Sequence, residues 1–298
     1  GLEVFPHRHY PSRIRGGHTY VEVRAGPDSA RSRGDGYNFL LALGDSFARN
    51  PQEEAYYGNE ELKPLTENLE DLREGGIIVY DSGLIDEEQV AEVELERKAE
   101  ENGWHVYPVD LRSIAKEHGR EIMRNNAGIG ATAALLDMDL SYYEEIMDEN
   151  WDEETRDANI AAIRDAYEQV SEFEFTHDLE MPAHEEPEEQ QALVSGSDAI
   201  SYGALDAGCR FIAGYPMTPW TDVFTIMSQN LPRFGGVSEQ VEDEIAAAAL
   251  AIGASHTGVK AMSGSSGGGF ALMSEPLGLA EMTETPLVLI EAMRAGPS

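Results

Sequence analysis

Apolar residues along this chain recur in two rhythms, one of strands and one of helices. Tyr20–Arg24 (YVEVR) alternates apolar and polar positions, as a half-buried strand does. Asn38–Leu43 (NFLLAL) is continuously apolar and closes at Gly44 and Asp45, which predicts a buried strand. Leu62–Arg73 is amphipathic, with Gly75-Gly76 as its expected stop. Gly76–Tyr80 (GIIVY) is a short apolar run followed by a turn at Asp81-Ser82-Gly83. Glu87–Asn102 predicts one charged surface helix with Gly103 at its C-terminal end. His105–Val109 predicts a strand; Asn126–Leu136, Tyr142–Met147 and Glu153–Val170 predict helices.

The second half repeats the alternation. Gly196–Gly208 predicts a helix with a glycine stop, and Arg210–Gly214 a strand. Ser238–Ser255 holds the run IAAAALAIGAS, a helix packed closely by small residues. Val259–Met262 predicts a strand, Gly269–Met282 a helix, and Pro286–Met293 (PLVLIEAM) the cleanest buried strand of the chain. Strands alternating with helices imply parallel α/β sheets with helices on both faces. Between the halves, His177–Gln191 carries two prolines, six acids and no apolar period, which reads as a linker. The expected organisation is therefore an α/β domain over 1–176, an acidic linker over 177–191 and a second α/β domain over 192–298. The start at Gly1 in a strand-like segment and the stop at Ser298 read as cut ends of a longer product.

Composition changes this picture in three ways. There are 56 acidic against 21 basic residues, a net charge of −35, and the only lysines are Lys63, Lys98, Lys116 and Lys260. Such a surface stays hydrated in high salt, where screening removes its self-repulsion, so the balance reads as halophilic. It also argues against nucleic-acid binding, which needs clustered cations. The exception is the N-terminus, where Arg8, Arg13, Arg15, Arg24, Arg31 and Arg33 crowd together. Without a glycine-rich loop beside them, they read as an interface pairing with acids rather than as an anion site. A single cysteine, Cys209, excludes disulfides within the chain and an iron–sulfur cluster held by it alone. No apolar run approaches the ~20 residues of a membrane span, and no signal peptide is visible. The cytoplasm is the expected location.

Ligands of open α/β sheets bind beyond the carboxyl ends of the strands. Three segments fall there. In Gly214–Thr221 (GYPMTPWT) two prolines fix the loop and hold the Thr218 hydroxyl in place. In Ser263–Gly269 (SGSSGGG) glycines admit a ligand to the backbone, and the following helix start offers amide donors. In Arg294–Ser298 (RAGPS) an arginine at the end of a buried strand needs a carboxylate partner, from a ligand or from the protein. Glu239, Glu242 and Asp243 suit a helix start. Glu244 directly precedes the apolar helix and is expected on its packed side, where a carboxylate can share a proton with a ligand nitrogen.

Taken together, GYPMTP, VEDEIAAAALAIGAS and SGSSGGGFALMSEPLGLAEMTETPLVLIEAMRAGPS resemble the alpha subunit of 2-oxoacid:ferredoxin oxidoreductases. The usual forms are YPITP, EDEIAA, Thr-Ser-Gly-x-Gly-Phe and R-x-GPSTG. The first domain resembles that family's gamma domain, since His9–His18 (HYPSRIRGGH) follows its RDYPS-x-IRGGH pattern. The gamma domain's opening glycine-rich segment is absent.

The resemblance implies a gamma-type domain fused ahead of the pyrimidine-binding domain of the thiamine-diphosphate fold. It implies oxidative decarboxylation of a small 2-oxoacid such as pyruvate or 2-oxoglutarate, with coenzyme A as cosubstrate and ferredoxin as acceptor. Glu244 matches the glutamate that bonds the aminopyrimidine of thiamine diphosphate. Thr218 matches the threonine near the thiamine ring, and Arg294 the arginine that holds the substrate carboxylate. Ser265, Ser266 and Gly267 match the cofactor-binding loop. A beta subunit is implied as the holder of magnesium, the diphosphate site and the iron–sulfur cluster. Met217 replaces the usual Ile, Gly268 a common Pro, and Trp220 a small residue, so Trp220 is expected to narrow the substrate pocket or alter partner packing. A thiamine-dependent decarboxylase or transketolase-like half differs in releasing aldehyde without coenzyme A. A non-catalytic assembly subunit differs in being dispensable for turnover.

Overall fold

The computed structural model describes residues 2–9, 19–28, 30–43, 68–181 and 192–293. The motif over 10–18, the segment 62–67 and the Arg294–Ser298 end therefore lie outside the described residues. Two compact units divide the chain, with the boundary between Glu186 and Pro187, inside the segment expected as a linker.

In the first unit, β1 (Glu3–His9) and β2 (Tyr20–Gly26) form a two-stranded sheet. Two of the described arginines of this basic region have partners nearby. Arg33 reaches Tyr20 Oη at 3.2 Å and Glu22 Oε1 at 3.5 Å, and Arg24 reaches the Ser32 carbonyl at 3.5 Å. A second sheet, in the order β3 (Tyr37–Ala42), β4 (Leu72–Asp81), β5 (His105–Val109), is wholly parallel.

Side-chain alternation on β4 gives this sheet two cores. Ile77 and Val79 pack with Tyr107 and Val109 against α3 (Leu111–Glu117), α4 (Arg124–Leu135) and α6 (Glu153–Ser171), with α5 (Ser141–Asn150) lying against α6. Ile78 and Tyr80 pack with Val90 and Leu95 of α1 (Glu87–Glu92) and α2 (Leu95–Asn102). The helix expected over Glu87–Asn102 is thus two, broken at Glu94, whose φ is 53°. Gly75 and Gly76 lie within β4 and do not stop a helix, because Leu72 already begins the strand and is buried there. Leu179 and Met181, within the segment expected as a linker, still pack on the first core.

Asp81 ends β4 completely buried. Its Oδ1 accepts from the amides of Gly83 (3.1 Å) and Arg112 (3.3 Å), while Oδ2 has no hydrogen-bond partner among the described residues. Burial pushes its pKa up, against the pull of those amides and of Arg124. A carboxyl whose folded pKa is raised favours the fold below its unfolded value, and that advantage is lost as pH rises through the folded value. Asp81→Asn is therefore expected to gain stability relative to the wild type as pH increases from about 4 to 7. Urea unfolding at the two pH values checks this, and a constant difference would count against it.

The second unit opens with α7 (Gly196–Asp206), which carries a capping box: Ser195 Oγ accepts from the Asp198 amide at 3.1 Å, and the Ser195 amide donates to the Asp198 carboxylate at 2.9 Å. Its four-stranded sheet is parallel throughout, in the order β7 (Val237–Gln240), β6 (Phe211–Gly214), β8 (Ala261–Ser265), β9 (Val288–Glu291). Ile212 and Met262 face α7 and α8 (Trp220–Asn230) in one core. Ala213 faces the opposite way, with Phe211 and Leu289, toward Ala247 and Ala248 of α9 (Glu244–His256) and Met273. The chain then continues through α10 (Gly267–Leu272) and α11 (Ser274–Met282). The helix expected over Gly269–Met282 is therefore two.

Two expectations for this unit need correction. The last strand is not the most buried: among the described residues β9 is an edge strand with one neighbour, and Val288 is 58% exposed. The segment Ser263–Gly269 is scarcely a loop, because Ser263, Gly264 and Ser265 complete β8 and α10 begins at Gly267. Cys209 is a core residue whose thiol burial pushes its pKa up. Among the described residues no helix is long and apolar enough to cross a membrane.

Candidate functional site

The connections of the second sheet reverse at its centre. From β6 the chain moves outward to β7 through α8; from β7 it returns past β6 to β8 through α9, and then continues outward to β9. Loops leaving β6 and β8 thus diverge, which opens a crevice between their carboxyl ends, the switch point where ligands of such sheets bind. Gly214 ends β6, paired with Gln240 of β7, and Ser265 ends β8, paired with Glu291 of β9. The strands are tied at these ends by Val241 N to Gly214 O at 3.1 Å and Ala292 N to Ser265 O at 3.0 Å. Ser263 Oγ donates to Ala213 O at 2.7 Å and stitches β8 to β6 just inside the crevice.

Glu244 is delivered here by the start of α9. Asp243 is the N-cap, with extended backbone, and its Oδ1 accepts from Ala246 N at 2.7 Å. That makes Glu244 the first residue of the helix, where the helix dipole favours an anion. Glu239, read as a helix-start acid, instead belongs to β7. Glu244 is only 5% exposed, as the pattern predicts. Its Oε1 accepts from Ser265 Oγ at 3.0 Å, the one hydrogen bond to this carboxylate among the described residues. The same hydroxyl lies 3.5 Å from Met217 Sδ. Gly269 closes the far side: a Cβ there would stand 2.2 Å from Glu244 Oε1 and from Ser265 Oγ.

The geometry separates the expected site residues. Glu244 and Ser265 are in contact, and Met217 joins them from the β6 loop. Thr218, next in that loop, is exposed, and the peptide between it and Pro219 is cis. Ser266 is buried at the N-cap of α10, and Gly267 has a φ of 48°. Arg294 lies outside the described residues. Trp220 does not face the crevice: it is fully buried in the core with Ile212, Val223 and Met262, because its ring lies against Gly264, where a Cβ would meet it at 2.5 Å. The sequence reading missed Gly269, taken only as part of a permissive loop, and Met217, noted only as a replacement. Three consecutive glycines are the sequence signal that one of them admits a close approach.

A buried carboxylate at a helix start, with one donor and an unpartnered oxygen at a switch point, fits a ligand bearing a nitrogen that shares a proton. The aminopyrimidine of thiamine diphosphate is such a ligand. Fold and crevice define the class: a doubly wound parallel α/β unit with a ligand position at its switch point. The chain belongs to the pyruvate ferredoxin/flavodoxin oxidoreductase family, whose description fits residues 1–169, while residues 202–298 match its thiamine-diphosphate-binding domain.

Over its full length it is 28% identical to the alpha subunit of a 2-oxoacid:ferredoxin oxidoreductase from a Sulfolobus species, covering 50% of that protein. Over 109 residues, 37% of this chain and 32% of the relative, it is 50% identical to 2-oxoglutarate synthase subunit KorA of Archaeoglobus fulgidus. A solved structure of 2-oxoglutarate:ferredoxin oxidoreductase from Magnetococcus marinus, with 2-oxoglutarate, coenzyme A and succinyl-CoA bound, matches all of this chain and 48% of its own. The TM-score is 0.73 and the identity 28%. The chain thus spans about half or less of the length of these three proteins.

Proposed function

We propose that this chain supplies the pyrimidine-facing half of the thiamine diphosphate site of a 2-oxoacid:ferredoxin oxidoreductase. The enzyme joins a 2-oxoacid and coenzyme A, releases carbon dioxide, forms an acyl-CoA and passes the electrons to ferredoxin. The observation that carries this reading is the buried Glu244 carboxylate at the switch point, with Ser265 as its donor and an oxygen left over. Thiamine diphosphate, when bound, supplies the electron sink that decarboxylation of a 2-oxoacid needs.

The residues of this chain have separate tasks in that reaction. Glu244 would hold the pyrimidine ring of the cofactor by a hydrogen bond to its carboxylate. Thr218, exposed on its loop, offers a hydroxyl to the substrate. Arg294 grips the substrate carboxylate with its two-pronged guanidinium until that group leaves as carbon dioxide. Ser266 and Gly267 border the cofactor at the start of α10. A beta subunit provides magnesium, the diphosphate site and the iron–sulfur cluster, for which one buried cysteine in this chain is insufficient. The strongly acidic surface suits a halophilic, cytoplasmic enzyme.

Within the 2-oxoacid class we favour 2-oxoglutarate, since relatives 50% identical over 109 residues of this chain bear the name 2-oxoglutarate synthase. The complete enzyme, given pyruvate, 2-oxoglutarate and a branched-chain oxoacid, is expected to form acyl-CoA fastest with 2-oxoglutarate. Aldehyde release without coenzyme A would transfer the protein to the decarboxylases. Turnover by the partner subunits without this chain would make it an assembly subunit.

A further inference from the structure

Three elements converge on a single oxygen of Glu244. Ser265, the last residue of β8, is fully buried and aims its hydroxyl at Oε1 from 3.0 Å. Gly269 of α10 lies so close that any side chain would collide with the same oxygen. Glu244 itself is fixed by the Asp243 cap at the start of α9. Oε2 receives no hydrogen bond from the described residues.

The Ser265 hydroxyl has one proton and two neighbouring acceptors, Glu244 Oε1 at 3.0 Å and Met217 Sδ at 3.5 Å. A hydrogen bond to an ionised carboxylate is roughly twice as strong as a neutral one, and a thioether is a weak acceptor. The proton therefore goes to Glu244, and Met217 packs against the oxygen that donates it. Since Met217 precedes Thr218, the same hydroxyl connects the carboxylate to the loop that carries Thr218.

We infer that Ser265 is a positioning residue: it holds Glu244 by Oε1 so that Oε2 faces the pyrimidine. Its hydroxyl is engaged within the protein and does not itself bind the cofactor. The inference rests on the proposed role of Glu244 and goes beyond it by naming what sets the carboxylate's geometry. A hydrogen-bonded neighbour acting through one side chain loses its effect when that side chain is removed, whereas a residue that serves only the fold does not.

The test is a double-mutant cycle on the complete enzyme, freed of cofactor and titrated calorimetrically with thiamine diphosphate. Ser265→Ala is expected to weaken binding about tenfold in the wild-type background, the size of one lost hydrogen bond to a charged group. In a Glu244→Ala background the same replacement is expected to change binding by less than about twofold. Melting of the cofactor-free enzyme is expected to differ little between wild type and Ser265→Ala. An unchanged affinity in Ser265→Ala, or a tenfold loss that persists without Glu244, overturns the inference. A marked fall in melting temperature with unaltered affinity does so as well. If Glu244→Ala alone leaves both affinity and turnover intact, the proposed function of Glu244 fails instead.

Discussion

Glu244→Ala is expected to lower oxoacid-dependent ferredoxin reduction by the complete enzyme at least about a hundredfold, the usual contribution of a positioned proton-transfer group. The side chain is 5% exposed and its one donor, Ser265, is fully buried. Its removal leaves Ser265 Oγ, among the described residues, with only the Met217 sulfur within reach. Glu244→Gln separates shape from charge. It fills the same space beside Gly269 but presents an amide where a carboxylate accepted, so its activity is expected to stay near the alanine level. Steady-state rates with saturating coenzyme A check both variants. Near-normal turnover of Glu244→Gln would mean that the residue fills space and takes no part in proton handling.

The second large effect is on stability. Trp220→Ala is expected to cost about 3–5 kcal/mol, the range for a large aromatic removed from a packed core. Trp220 is completely buried, its ring lies 6.3 Å from that of Phe224, and Gly264 is shaped around it. Its Nε1 has no hydrogen-bond partner among the described residues, so the loss is one of packing. Chemical denaturation measures it directly. The preference among 2-oxoacids is expected to stay the same in whatever fraction remains folded. A changed preference with unchanged stability would restore the pocket-narrowing role that the sequence alone suggests.

Trp220 illustrates where the sequence stops being legible. A bulky residue replacing a small one beside a substrate loop looks like a change in the pocket. Only the packing reveals that the first residue of α8 turns into the core, because Gly214 and Gly264 leave room for an indole. The parallel α/β architecture was legible, since β4 and β5 hold short apolar runs, α6 carries a helical apolar period and α7 is marked by small residues and a glycine stop. Breaks within helices were not: Glu94 in the left-handed region divides α1 from α2 without glycine or proline to announce it. The strand β7 was also lost, because its Glu239 matches a helix start equally well and only pairing with β6 decides between them.

The candidate site was legible in part. Glu244 could be singled out by its position between capping acids and an alanine-rich helix. That Ser265 belongs to the strand, and reaches Glu244 from it, depends on where β8 ends, which composition does not mark. A run of serine and glycine reads as a flexible loop, yet here most of it is strand and helix joined at Ser266.

The most direct measurement is a structure of the complete enzyme with thiamine diphosphate bound. The account predicts a Glu244 carboxylate oxygen within about 2.6–3.2 Å of a pyrimidine ring nitrogen, with Ser265 still donating to the other oxygen. A pyrimidine ring paired with Glu239 or Glu242, or lying away from the crevice between β6 and β8, would contradict it.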